Sequence, residues 1–255
     1  MSDVRQLGSR LEHLLANDEI AMIERRRLIE LMCLFADLPP PPDPIGLFPR
    51  YAELKSNFAV AADGDDPETL HESFLALYAH LHGYQAPYTP EERKRVDATG
   101  GYWCHAGGLS PILKAGDHIR AGTISADFGA GNGLQGLLFQ KLYPHKKTIQ
   151  IEISSKMIEA GRELQRWLGI PEEKVEWSLG DVVDHSPTGM DFIYIYRPLK
   201  PEGPGREFYR RFAAELARDA RPVVIFSIAD CLRDFLPASF EVFYGDGHLT
   251  CFERK

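Results

Sequence analysis

From residue 122 onward the sequence alternates short β-branched runs with amphipathic segments, and few folds survive that constraint. Strands this short cannot bury their apolar side chains without helices on both faces, so the pattern specifies a parallel sheet joined by crossover helices. Strands are expected at about 123–128, 148–153, 174–178, 191–196 and 222–227, with helices at about 134–143, 155–168 and 206–218. The tail, FEVFYGDGHLTCFERK, reads as strand, turn, strand, with Gly245, Asp246 and Gly247 at the turn.

Before residue 120 the pattern is helical. Leu7, Leu11, Leu14 and Leu15, then Ile20, Ile23, Leu28, Leu31 and Phe35, recur at helical spacing. The prolines Pro39 to Pro42 with Pro44 end that pair in a stiff, extended connector. Asp66-Pro67 reads as a cap and first helical position, followed by an apolar stripe at Phe74, Leu77, Tyr78 and Leu81. Thr89-Pro90 with Glu91 and Glu92 opens another helix. Gly100 and Gly101 break the chain before Tyr102, Trp103, Cys104 and His105, and SPILKAGDHI forms a short helix leading into the core. Residues 1–100 are thus a helical extension or a lid, and 101–255 the catalytic unit.

Where the first strand meets its helix stands Ala126-Asp127-Phe128-Gly129-Ala130-Gly131-Asn132-Gly133. Glycines there permit a sharp turn and close approach of a ligand, and the helix offers it an N-terminus. Two templates fit. Gly131-Asn132-Gly133-Leu134-Gln135-Gly136 spells the dinucleotide fingerprint, with Glu152 near its ribose-binding acid. Asp127 separates them: a carboxylate beside the glycines repels a pyrophosphate and suits a cationic or amine-bearing ligand. With Gly129, Gly131 and Gly133 it resembles motif I of the class I methyltransferases, [DE]-x-G-x-G-x-G, without a mismatch.

Over roughly residues 105 to 255 the likeness continues in order and spacing. IEISSKMIEAGREL is similar to the family's second-strand segment, and Leu179-Gly180-Asp181-Val182 to its adenine-binding turn. The terminal hairpin resembles its sixth and seventh strands. The resemblance implies a doubly wound, mostly parallel seven-stranded α/β sheet with an antiparallel last strand. It implies S-adenosyl-L-methionine as cofactor, held by Asp127, Gly129, Ala130, Gly131, Gly133, Glu152, Ile153, Asp181 and Val182. Glu152 would accept from both ribose hydroxyls, Ile153 pack on the adenine, and Asp181 accept from its exocyclic amine. Tyr102 would close over the methionine end. Each acid keeps a structural alternative: Asp127 and Glu152 as helix caps, Asp181 as a turn residue.

Transfer should occur at the carboxyl end of the fourth strand, where Tyr196 and Arg197 are the candidates near the reacting atoms, with His105 as a possible base. Arg197 is open between binding an acceptor anion and a surface ion pair, and Tyr102, Trp103 and His105 between a site role and a buried aromatic cluster. His185 is expected to be exposed. Tyr196-Arg197-Pro198-Leu199 departs from the Asn/Asp-Pro-Pro-Tyr motif of many amino methyltransferases of nucleic acids and glutamine, which weakens both readings.

Charge and cysteines narrow the rest. A net charge of −8 over 255 residues counts against nucleic acid. Cys33, Cys104, Cys231 and Cys251 are scattered, without metal-ligand spacing. With no signal-peptide run and no membrane-length apolar stretch, the reading is cytoplasmic, without membrane attachment. The leading function is methylation of oxygen or nitrogen on a small molecule. Alternatives are a protein lysine or arginine methyltransferase, a non-catalytic cofactor-binding subunit, and a nicotinamide dehydrogenase.

Overall fold

The computed structural model describes residues 2–16, 21–83, 88–101, 107–229 and 231–254. Among the described residues of the first hundred stand the helices α1 (Ser2–Leu14), α2 (Met22–Asp37), α3 (Tyr51–Ala62), α4 (Pro67–His80) and α5 (Pro90–Thr99). The expected caps are in place. Asp66 accepts from the backbone N–H groups of Glu68 and Thr69, and Thr89 with Glu92 forms a capping box. Helix α3 was not read from the sequence, although Tyr51, Leu54, Phe58, Ala61 and Ala62 all lie on its buried face. Their helical spacing after the proline run was the available signal. Ile23, counted in the α2 stripe, is instead 54% exposed.

After α6 (Leu109–Ala115) come β1 (Ile124–Phe128), α7 (Leu134–Leu142), β2 (Lys147–Glu152), α8 (Ser155–Trp167), β3 (Val175–Leu179), β4 (Phe192–Tyr196), α9 (Gly203–Arg218), β5 (Val223–Ile228), β6 (Glu241–Gly245) and β7 (Leu249–Arg254). The strands form one seven-stranded sheet in the order β3-β2-β1-β4-β5-β7-β6. Pairs among β1 to β5 are parallel, and β7 runs antiparallel to β5 and β6. This is a Rossmann-like α/β fold with an antiparallel last strand.

Side chains alternate across the sheet with period two. Phe192, Tyr194, Phe226 and Ile228 enter one core, while Ile193, Ile195 and Ile225 enter the other. The second core is covered by Phe208, Tyr209, Phe212 and Leu216 of α9. The first is continuous from the sheet through α7 and α8 into α2, α3 and α4, so Leu31, Phe35 and Phe74 share one cluster with Leu137 and Leu164. Burial against this shared core stabilises helices that are individually too short to persist in water.

The helical extension therefore divides. Helices α1 to α4 join the packing over one face of the sheet. Polar ties reinforce the junction: Arg27 to Asp117 at 2.6 Å, Lys114 to Glu24 at 2.7 Å, and the Trp167 indole N–H to the Pro39 carbonyl at 2.9 Å. Helix α5 instead crosses the carboxyl ends of the strands. At its start Glu92 accepts from the Ser155 N–H of α8, at 3.3 Å. At its end Gly100, left-handed at φ 71°, accepts from the Lys200 N–H at 3.0 Å, and Gly101 bridges to Leu199. Among the described residues no helix is long and apolar enough to cross a membrane.

Candidate functional site

Strand order reverses between β2-β1 and β1-β4, and the crevice outside that point is where open α/β sheets bind ligands. Here it is a cleft of about 790 Å³, its open mouth included. The glycine loop forms its floor, Glu152, Ile153, Asp181 and Val182 one wall, and Tyr196, Pro198 and Leu199 another. Helix α5 contributes Val96 and Thr99, His82 and Tyr88 join them from the extension, and Gly101 follows α5 into the lining.

The loop turns back over β2 because the N–H groups of Gly129 and Ala130 both donate to the Ile151 carbonyl, at 3.0 and 2.9 Å. Three of its glycines have positive φ, for different reasons. A Cβ on Gly129, at φ 86°, would stand 3.1 Å from the Pro198 ring. On Gly131, at φ 60°, it would meet only the Met157 methyl at 3.9 Å and would project into open space. On Gly133, at φ 71°, it would stand 2.4 Å from the Trp177 ring. Gly133 therefore serves packing beneath the loop, and it does not line the cleft.

Glu152 is 3% exposed at the end of β2. One carboxylate oxygen accepts from the Gly131 N–H at 2.7 Å and the other from the Ser154 N–H at 2.9 Å. Each oxygen keeps a second lone pair, so the group can hold the loop and still accept from a ligand. Asp181 does two things at once. Its carboxylate accepts from the Val183 N–H at 3.1 Å, as a turn residue would, and it also lines the cleft, with the Arg95 guanidinium 4.0 Å away. His185 is half-buried rather than exposed, bonded to the Asp181 carbonyl and the Ser178 hydroxyl. It holds the turn from behind.

Asp127, by contrast, lies under the loop, 3% exposed and outside the cleft lining. It accepts from the Gly136 backbone in the first turn of α7. Burial, with the charge of Glu152 added, pushes its carboxyl up to about 8. Burial likewise raises Glu152 to about 7, against the lowering effect of its backbone donors. A carboxyl that binds its proton more tightly when folded contributes stability below its unfolded pKa and loses it as pH rises through the folded one. Asp127→Asn should therefore gain melting temperature relative to the wild type progressively between about pH 5 and pH 8. A difference between the two that stays constant across this range would exclude a buried titrating carboxyl there.

Of the candidates for transfer, Tyr196 lines the cleft. Arg197 does not; its backbone is left-handed at φ 36° and its N–H is directed to the Cys231 thiol. Tyr102 and His105 lie outside the described residues. The sequence reading missed His82, Tyr88, Val96, Thr99, Asn132 and Pro198 in the lining, and His248, whose ring stands edge-on to Tyr196 at 5.8 Å. No motif marks His82, Tyr88, Val96, Thr99 or His248, whereas Asn132 and Pro198 stand inside the glycine-loop and fourth-strand segments, beside residues that were named. Among the described residues no group of histidines, cysteines and acids could hold a metal ion.

No protein-family model matches the chain, and no curated protein does. Solved structures are similar in fold. The RNA methyltransferase from Salinibacter ruber in complex with S-adenosyl-L-homocysteine is 16% identical over 57% of this chain and 87% of its own, with a TM-score of 0.42. The putative methyltransferase yhhF from Escherichia coli is 12% identical, covering 67% and 89%, with a TM-score of 0.44. MtNAS in complex with MTA and tNA is 14% identical over 99% of this chain and 85% of its own, with a TM-score of 0.40.

Proposed function

We propose that this chain is an S-adenosyl-L-methionine-dependent methyltransferase acting on an oxygen or nitrogen of a small molecule. The observation that carries the reading is the chemistry of the cleft wall. Two carboxylates, Glu152 and Asp181, face it beside a glycine loop, and no lysine or arginine is among its described lining residues. A dinucleotide's pyrophosphate would meet no side-chain cation there, and the loop N–H groups of Gly129, Ala130 and Gly131 already donate to Ile151 and Glu152. A ligand with a diol, an exocyclic amine and positive charge finds acceptors for each. The open space above Gly131 is a cradle that a Cβ would fill. Bound there, the cofactor supplies a methyl group on a sulfonium for in-line displacement.

The chain's own part is placement. Glu152 takes the ribose hydroxyls, Ile153 and Val182 flank the adenine, and Asp181 accepts from its amine. Tyr196 stands on the β4 side, where the acceptor must approach, and its phenol can orient the nucleophile or take a hydrogen bond from it. Helix α5, fastened at both ends across the mouth, narrows the entrance and supports a small acceptor over a polymer.

Calorimetry is expected to give micromolar affinity, about −7 to −9 kcal/mol, for S-adenosyl-L-methionine and its demethylated product. NAD should not compete. Tight NAD binding without binding of the sulfonium compound would reverse the assignment. With methyl-labelled cofactor and a cell extract, label should appear in a low-mass product that separates from the cofactor by chromatography; label in the protein fraction would favour lysine or arginine instead.

A further inference from the structure

His82 belongs to neither the glycine loop nor the strand ends, yet it is built into the wall of the cleft. It follows α4 in a turn whose Leu81 carbonyl accepts from the Asn132 side-chain amide of the loop, at 2.7 Å. Its ring stands edge-on to Tyr78 at 4.9 Å, and the Tyr78 hydroxyl donates to Gln135 of α7 at 2.6 Å. A Cβ on Gly107 would come within 2.9 Å of the imidazole, so the backbone there closes against it. Only 7% of the residue is exposed. Loop, α4 and α7 together thus hold one imidazole at one position in the lining.

The order of the strands says which part of a ligand meets it. If Asp181 after β3 and Glu152 after β2 take adenine and ribose, the 5′ substituent points across β1. The adenine end and the β1 loop are two strands apart, about 10 Å at ~4.8 Å per strand. That is where Asn132 and His82 stand. We propose that His82 is the contact of the helical extension with the amino-acid tail of the cofactor, a hydrogen-bond partner for its α-carboxylate or α-amine. This rests on the methyltransferase reading. Burial drives the imidazole down to about 3, so it stays neutral, with one N–H to donate and one nitrogen to accept.

The two ligands S-adenosylhomocysteine and 5′-methylthioadenosine share the nucleoside and differ in that tail. Binding of both to the full chain is measured by calorimetry for the wild type, His82→Phe and His82→Gln. Phenylalanine keeps a ring against Tyr78 and removes both nitrogens; glutamine restores a donor and an acceptor. His82→Phe should lose about tenfold in affinity for S-adenosylhomocysteine, the scale of one hydrogen bond to a charged group. It should bind 5′-methylthioadenosine as the wild type does, and His82→Gln should recover part of the loss. Equal losses for both ligands, or none for either, would overturn the assignment. A wild-type chain that binds neither ligand would instead sink the methyltransferase reading, and this assignment with it.

Discussion

Replacing Gly133 with alanine is expected to lower the melting temperature by roughly 5–15 °C while leaving the cleft lining chemically unchanged. Two costs add. The residue sits at φ 71°, where a side chain costs about 1–2 kcal/mol. Its new methyl would stand 2.4 Å from Trp177 Cη2 and 3.1 Å from the Gln150 amide, and overpacking of this kind costs about 1–3 kcal/mol. For a chain of this size each kcal/mol moves the midpoint by about 2–4 °C. The neighbour cannot simply retreat, because the same ring is wedged against Gly161, and Trp177 Nε1 donates to Gln165 at 2.9 Å. Gly131→Ala is the internal control. It carries the same backbone strain at φ 60° but meets nothing closer than the Met157 methyl at 3.9 Å, so its melting loss should be smaller and its loss of cofactor binding larger. Trp177→Phe in the Gly133→Ala background should give less than the summed loss of the single variants, the signature of coupled neighbours. Equal melting temperatures for the two glycine variants would remove the distinction between a packing glycine and a ligand-facing one.

Glu152→Ala should weaken cofactor binding by about 1.5–3 kcal/mol, the scale of hydrogen bonds to a charged group, or roughly 10- to 150-fold. Sequence reasoning alone expects little effect on folding. The structure changes that expectation, because the carboxylate also accepts the Gly131 and Ser154 N–H groups in a site 3% exposed. Leaving those donors without an acceptor costs about 1–3 kcal/mol. Glu152→Gln separates the two contributions. Its carbonyl can keep one backbone donor and much of the stability, but the amide cannot accept at both ends from a diol. Calorimetry and thermal unfolding of both variants decide the matter. Full affinity in Glu152→Gln together with a lowered midpoint in Glu152→Ala would reduce Glu152 to a structural cap.

The sheet was legible because each of its signals is local. A buried parallel strand must be apolar along its whole length, so FIYIY and VVIFSI announce themselves and their observed bounds fall within two residues of expectation. The turn at Asp246 and Gly247 marks the hairpin for the same reason. The glycine loop and Glu152 were legible as well, since phase and spacing bring them together at the ends of adjacent strands. What sequence could not supply is which face each helix covers. Leu31, Phe35 and Phe74 carry the same periodicity whether they form a separate lid or join the core with Leu137, and only the contact between them decides. The same holds inside the site. Asp127 and Gly133 match the glycine-loop motif as well as Gly131 does, yet they are turned beneath the loop, while Gly131 and the Glu152 that ends β2 border the cleft. His82 has no motif at all. It reaches the cleft because the Leu81 carbonyl accepts from Asn132, 51 residues later in the chain, and pairing over that distance is a property of the packed core rather than of any window of sequence.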